Sequence, residues 1–359
     1  TGHFLFVIVF IFFSTLEAKN LDKFNKADNI ADYFSGILLL NQSKYEESYK
    51  YLKKLDGLEK NHITYSSKYL FSLINSGNFN QAFNFSRKLE KNNQDIFESN
   101  LIMGIYYLNN SKSELSKKYF SKAKKIKSRT ILDYFVIESL YVWSNLNNNF
   151  DDAIINLSKI DNRFENLKKI QNVFLNCYFN TNEVQTSFEE LVLNQKTDFS
   201  RYNFFYAKYL ESSKQQTKAK RIIKESLKKN PRNLLLNQYK IDLENSENNF
   251  HFDCKKREHV IAEILYITAN ALSSQSIYPL SNFYLNLSKY LNKDFHAFDT
   301  LIAENFYQVN DLEKAKKKYE QLMNNGIAFK WYSAKQIARI LVQEEKKKES
   351  IKILKNSYK

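Results

Sequence analysis

Residues 33–55 read YFSGILLLNQSKYEESYKYLKKL. Apolar residues at helical spacing run to Leu40, the polar step Asn41-Gln42-Ser43-Lys44 interrupts them, and a second amphipathic run begins at Tyr45. The stretch therefore reads as helix, tight turn, helix. Ser48 begins the face of the second helix, and a small residue returns in the same place at Ala82 and at Ser116, each 34 residues on. Two helices recurring at that period signal a stacked helical repeat.

Composition points the same way. The 359 residues are 43% hydrophobic, enough for a continuous core, and include only 6 Gly and 2 Pro. Hairpins and glycine-built phosphate loops draw on those two residues, so their scarcity argues for an almost wholly helical chain. The abundance of Phe, Tyr, Asn, Lys and Ile fits the coding bias of an AT-rich genome. The net charge of +15 is accordingly not taken as a sign of a specific anionic ligand.

Phe4–Phe13, FLFVIVFIFF, is an unbroken apolar run too short to span a bilayer and suited to the core of a signal peptide. With Leu16 and Ala18 tolerable at a cleavage site, residues 1–18 are expected to direct export, either cleaved near Ala18 or kept as a membrane anchor. The protein is then expected in the periplasm or associated with the envelope. That setting permits a disulfide. Cys177 and Cys254, however, lie 77 residues apart, about two repeats, and non-adjacent repeats of a solenoid do not touch. The expectation is a buried Cys177 and a separate loop Cys254.

Residues 19–248 are expected to form an N-terminal array, 249–259 (NFHFDCKKREH) a linker loop, and 260–359 a C-terminal array that stops on a second helix without a polar cap, as a truncated array would. The clearest copy, residues 97–130, carries Gly104 in its first helix and Ser116, Phe120 and Ala123 in its second. Later copies keep parts of this set: Ala153 and Leu157, then Val184 and Phe188, then Ala207, Ala219, Ile223 and Pro231. Ala269, Ser281 and Leu285 follow, then Ala303, Ala315 and Tyr319, and a last copy ends at Ser357. Residues 232–248 read as one long or degenerate helical unit.

These positions resemble the tetratricopeptide repeat (TPR), over about residues 29–357. The resemblance implies an all-α, right-handed solenoid of about nine helix pairs. With the signal-like start, the chain looks like the exported TPR proteins of Gram-negative bacteria. The family implies a non-enzymatic protein-interaction scaffold whose first helices line a concave groove for a peptide or a partner helix. On that reading the groove is lined by Tyr33 and Ile37, Ser67 and Phe71, Leu101 and Ile105, and Phe204 and Lys208, followed by Tyr266 and Asn270, and Thr300 and Glu304. Each of these residues is equally a candidate for packing between helices. The family's clamp for a C-terminal carboxylate needs Lys and Asn on successive first helices, a set not found here.

Other constellations have blander readings. Asn41, Asn75 and Asn109 recur at 34-residue spacing and suit either a ladder on a peptide backbone or left-handed helix ends, of which capping is preferred. Lysine clusters at 117–118, 122–127, 214–229, 316–318 and 346–348 read as solvated helix faces, most of them on or beside second helices. His251, Asp253, Cys254 and His259 are close in sequence, but one Cys in that spacing fits no structural zinc pattern. No phosphate loop, dinucleotide glycine signature, nucleophile elbow or metalloprotease helix occurs, so no cofactor, metal or small-molecule substrate is expected, and the expected export argues against nucleic acid. The alternatives are a factor binding envelope glycan or anionic lipid through the basic face, and the recruiting arm of a larger enzyme.

Overall fold

The structure, a computed structural model, describes residues 26–126, 130–146, 149–194, 196–245, 247 and 251–358. The expected signal peptide at 1–18 lies outside the described residues. Among them there are nineteen α-helices, two short 3-10 turns and no strand. Eighteen helices form nine pairs joined by short turns. They are α1 (Ala27–Asn41) with α2 (Tyr45–Lys53), α3 (Ile63–Asn75) with α4 (Phe79–Lys91), and α5 (Phe97–Asn109) with α6 (Ser113–Lys125). Next come α7 (Ile131–Ser144) with α8 (Phe150–Ser158), α9 (Glu165–Phe179) with α10 (Val184–Val192), and α11 (Tyr202–Ser212) with α12 (Gln216–Lys229). A single helix, α13 (Leu234–Asn245), occupies the degenerate stretch. After it follow α14 (Arg257–Ser274) with α15 (Tyr278–Leu291), α16 (Ala297–Gln308) with α17 (Leu312–Leu322), and α18 (Ile327–Gln343) with α19 (Lys347–Tyr358). The fold class is the all-α repeat of TPR-like helix pairs.

The small residues act as the sequence suggested, and they add a hydrogen bond. Ser48 donates from Oγ to the Gly36 carbonyl (2.7 Å), Ser116 to the Gly104 carbonyl (2.9 Å) and Ser281 to the Ala269 carbonyl (2.8 Å). Each bond crosses twelve residues from second helix to first, which fixes the axial offset within a pair. The absence of a Cβ at Gly36 and Gly104 leaves room for Leu52 and the Phe120 ring, so the helices approach closely.

The turn inside each pair is also periodic, two residues later than the asparagines implied. α1, α3 and α5 end at Asn41, Asn75 and Asn109, yet the left-handed residues are Ser43 (φ 60°), Gly77 (φ 77°) and Ser111 (φ 57°). Asn180, Lys214, Ser276, Asn310 and Glu345 repeat the conformation further on. The next amide reaches back to a carbonyl five residues earlier, as from Lys44 to Leu39 (2.9 Å), Lys112 to Tyr107 (2.8 Å) and Gln215 to Leu210 (2.8 Å). That backbone bond terminates the helix and demands the positive φ just before it.

By their contacts the described residues divide into two compact units, one up to Met103 and one from Gly104 on, with the division inside α5. Of the linker expected at 249–259, residues 251–256 precede α14 and 257–259 are its first turn. In the first unit, Tyr65 and Tyr69 stack beside Tyr49 and meet Phe85 edge-on, and the Tyr65 hydroxyl donates to the Leu52 carbonyl (3.0 Å). Buried Glu59 receives Lys88 (2.6 Å) and the Gly57 amide (2.7 Å).

The second unit departs from a one-dimensional array. α14 packs on α7, and α13 on α18. Tyr284 donates to Asp133 (3.0 Å) across 151 residues, Arg257 to Ser113 Oγ (3.0 Å) across 144, and the Ala328 amide to Gln238 Oε1 (2.8 Å) across 90. Arg201 donates from Nε and Nη2 to the two carboxylate oxygens of Glu263 (2.7 and 2.8 Å), with its guanidinium 3.9 Å from the Tyr266 ring centre. Burial alone would pull the Arg201 guanidinium down, but Glu263 and Tyr266 hold it above its ordinary value. Around the pair lie Phe205 and Phe295, and Phe205 in turn meets Phe174 and Phe252.

This doubling back joins the two cysteines. Cys177 in α9 and Cys254 beyond α13 form a disulfide, with Cα atoms 5.9 Å apart. The expectation of two separate thiols fails because the unpaired helix breaks the repeat and returns the chain to α9. Closing so long a loop stabilises by about 4 kcal/mol in the chain-entropy account.

Three outcomes follow. Gly104→Leu forces a side chain into the Phe120 ring and is expected to lower unfolding free energy by about 1–3 kcal/mol in urea melts. Ser111→Gly removes a left-handed strain at an exposed turn and should raise it by up to about 1 kcal/mol. Glu263→Ala leaves Arg201 buried without its partner and should cost about 3–5 kcal/mol, most of it recovered in the double variant Arg201→Met/Glu263→Leu; no recovery would mean the pair is not coupled.

Candidate functional site

Beside the disulfide, within the second unit, lies an open cleft of about 750 Å³. It exists because of the irregularity after α12. One side is built by the end of α9, where Asn180 (φ 53°) turns the chain, and by α10. α11 presents Lys208, Tyr209, Glu211 and Ser212, its turn Ser213, and α12 Gln216 and Lys220. The far wall is Leu243 at the end of α13, Glu247, and residues 252–255 with the disulfide itself. Phe188, Phe205 and Phe252 form an aromatic floor, with Phe252 5.4 Å from the Phe174 ring and 4.5 Å from that of Phe205.

Several charged groups of the cleft are already engaged. Glu211 receives Lys208 (3.0 Å) and the Tyr239 hydroxyl (2.8 Å). Burial, then the bond to Glu211, drive the Tyr239 phenol well above its ordinary value, so it acts only as a donor. Asp253 accepts the Lys255 amide (2.8 Å), and the Asp253 amide donates to His259 Nδ1 (3.0 Å). Burial lowers the His259 imidazole, in keeping with an Nδ1 that accepts. By contrast, the ammonium groups of Lys220 and Lys255 have no hydrogen-bond or ion-pair partner among the described residues. They remain free to meet a ligand.

The groove residues expected from the sequence are dispersed. Leu101, Ile105 and Phe204 have no exposed surface and are packing residues. The space beside Phe204 is filled by the Tyr239 and Phe295 rings, 4.9 and 5.7 Å away. Ser67 donates to Glu98 (2.6 Å), while Tyr33, Ile37 and Phe71 are half-buried, Tyr33 lying 5.2 Å from the His62 ring. Only Lys208 reaches the cleft. On α1 the exposed apolar stripe runs one residue on from the expected one, through Ile30, Phe34 (66% exposed) and Leu38 (59%). Of the later positions, Tyr266 stacks on Arg201 and Glu304 receives a short hydrogen bond from the Tyr332 hydroxyl.

Sequence reasoning missed Tyr209, Gln216, Lys220 and Phe252. The available signal was the nearly doubled interval between Ala219 and Ser281 together with a cysteine on either side of α13. Among the described residues no three His, Cys, Asp or Glu side chains gather where they could hold a metal ion. Cys254 of the histidine-rich stretch is taken by Cys177. No helix of the described residues is long and apolar enough to cross a membrane.

No known family model matches the sequence, and no curated protein matches it. Among solved structures, the chain is similar to one in the APC/C hetero-tetramer Cut9–Hcn1, at 14% identity and a TM-score of 0.33, covering 90% of this chain and 55% of that one. It therefore spans little more than half the length of that structure's chain. The TPR domain of P58(IPK) aligns at 13% identity and a TM-score of 0.30 over 92% of each chain. Yeast Tom70 aligns at 12% identity and a TM-score of 0.24 over 91% of each.

Proposed function

We propose that this protein is a non-enzymatic interaction scaffold that holds a peptide segment of a partner protein in the cleft beside the Cys177–Cys254 bond. The observation that carries this is the lining. The volume falls in the range of about 300–1,000 Å³ common to binding pockets, but those that take small molecules are mostly apolar, whereas this one is mostly polar above its aromatic floor. An extended peptide brings amides and carbonyls that Asn180, Ser212, Ser213 and Gln216 can pair, and side chains that can rest on Phe205 and Phe252. The Glu211 and Asp253 carboxylates are committed to internal bonds, which favours binding over acid–base work.

The proposal extends to compartment. A disulfide closing 77 residues suits an oxidising space, and the apolar run Phe4–Phe13 suits export. We propose the bacterial cell envelope as its setting. A second reading, contact with an anionic glycan or lipid surface, is favoured by one observation: Lys220, Lys224 and Lys228 stand exposed at four-residue spacing on α12.

A photo-crosslinking amino acid at position 209 separates the two readings. In the protein's native extract it is expected to capture a single partner through one contiguous peptide segment, and Gln216→Ala/Lys220→Glu should lower the yield about tenfold. A yield unchanged in that variant excludes the cleft. Release of the protein from anionic vesicles by moderate salt, without any crosslink, supports the basic face instead.

A further inference from the structure

Residues 251–256 belong to no helix, yet residues 252–255 form a wall of the cleft. What fixes that wall is a short set of contacts. Asn292 Nδ2 donates to the His251 carbonyl (2.9 Å), and His259 receives the Asp253 amide, so both tie the segment to its own side of the cleft. Among the described residues, a ring contact and a covalent bond carry it across to α9: the Phe252 ring against Phe174, and the bond from Cys254 to Cys177. The first is a ring contact between centroids 5.4 Å apart; the second is covalent.

We propose that the Cys177–Cys254 bond is a redox latch on the cleft, with its rim at residues 253–256 released from α9 when a dithiol reduces it. The regulatory meaning rests on the reading of the cleft as the binding site; the opening itself does not. Access decides the direction of attack. Cys177 is 1% exposed, whereas Cys254 is half-buried and lines the cleft. A thiolate of the dithiol attacks Cys254 Sγ, forming a mixed disulfide and expelling the Cys177 sulfur, which takes up a proton. The second thiol of the reductant then attacks its own sulfur in the mixed disulfide, closes to a ring disulfide and expels Cys254 as a thiolate, which is protonated in turn. Two electrons and two protons pass to the protein, and the dithiol is oxidised.

After reduction Phe252 stays among Phe174, Phe205 and Phe295 and acts as the hinge. The rim beyond it keeps bonds on its own side, from the Asp253 amide to His259 Nδ1 (3.0 Å), from the Lys256 amide to the Asp253 carbonyl (3.1 Å) and from the Val260 amide to the Lys256 carbonyl (3.3 Å), and among the described residues it has no hydrogen bond to α9. The cleft then loses its far wall at Cys254 and Lys255, one of its two unpaired cations. A segment held in the cleft would lose a covalently fixed side of its site. The scaffold would bind in an oxidising setting and let go in a reducing one.

The exposed Lys255 and Lys256 supply the measurement, since trypsin cuts after either once the rim opens. The full chain, oxidised or treated with dithiothreitol, and its Cys254→Ser variant are digested briefly, the first cut is mapped by mass spectrometry, and helicity is followed by circular dichroism. The latch predicts a first cut at Lys255 or Lys256 about tenfold faster in the reduced and variant proteins, with helicity kept and the slow rate restored on reoxidation. Equal rates, or faster cutting spread over the chain with loss of helix, overturn it, the latter showing a general staple. Crosslink yield from position 209 in the oxidised and reduced proteins then tests the regulation: a loss of about fivefold or more is expected, and an equal yield with a faster cut overturns the control of binding while leaving the binding site itself intact.

Discussion

The second unit depends on one buried ion pair, Arg201 with Glu263, which meets in bidentate geometry under the Tyr266 ring. A guanidinium and a carboxylate leave water at a cost of several kcal/mol each, and only matched geometry in a low dielectric repays it. These two side chains therefore tolerate one arrangement of α11 against α14 and few others. The aromatic rings around them, Phe205 and Phe295 above all, exclude the water that would screen the pair. Specificity comes from the charges and stability from the rings.

That constraint explains why the groove expected of a regular array is not open in this unit. Helices related by the repeat have only their neighbours to bury against, and the inward faces stay free. Here α14 lies on α7 and α13 on α18, so inward faces meet other helices of the same chain. Phe204 is lost to the groove because the rings of Tyr239 on α13 and of Phe295 cover it. Binding space reappears where the pattern breaks, between the sixth pair and the single helix α13, because a helix without a partner cannot fill the groove that a pair would fill.

The local architecture was readable in the sequence and the long-range architecture was not. Gly36 with Ser48, Gly104 with Ser116 and Ala269 with Ser281 announce themselves because a close helix crossing admits few residue types and the demand returns at a fixed period. Nine pairs and a degenerate unit at α13 follow from that. Arg201 and Glu263 occur once, 62 residues apart, and nothing periodic marks either. The cysteines misled for the same reason: a repeat count measures distance in space only while every unit is a repeat. Lys208 was placed at a site by its helix face, but the loop that completes the site carries no helical signal.

The disulfide has a further consequence, for load rather than for stability. With Cys177 joined to Cys254, the polypeptide between them, α10 to α13 and their turns, hangs from the sulfurs as a closed side loop of the covalent backbone. Tension applied at the two ends of the chain passes from α9 through the sulfur–sulfur bond to the segment before α14 and bypasses everything between. Pairs on either side can be pulled apart while the walls that α10, α11 and α12 give to the cleft carry no force. The oxidised molecule is thus a tether with one protected section, and that section holds most of the cleft.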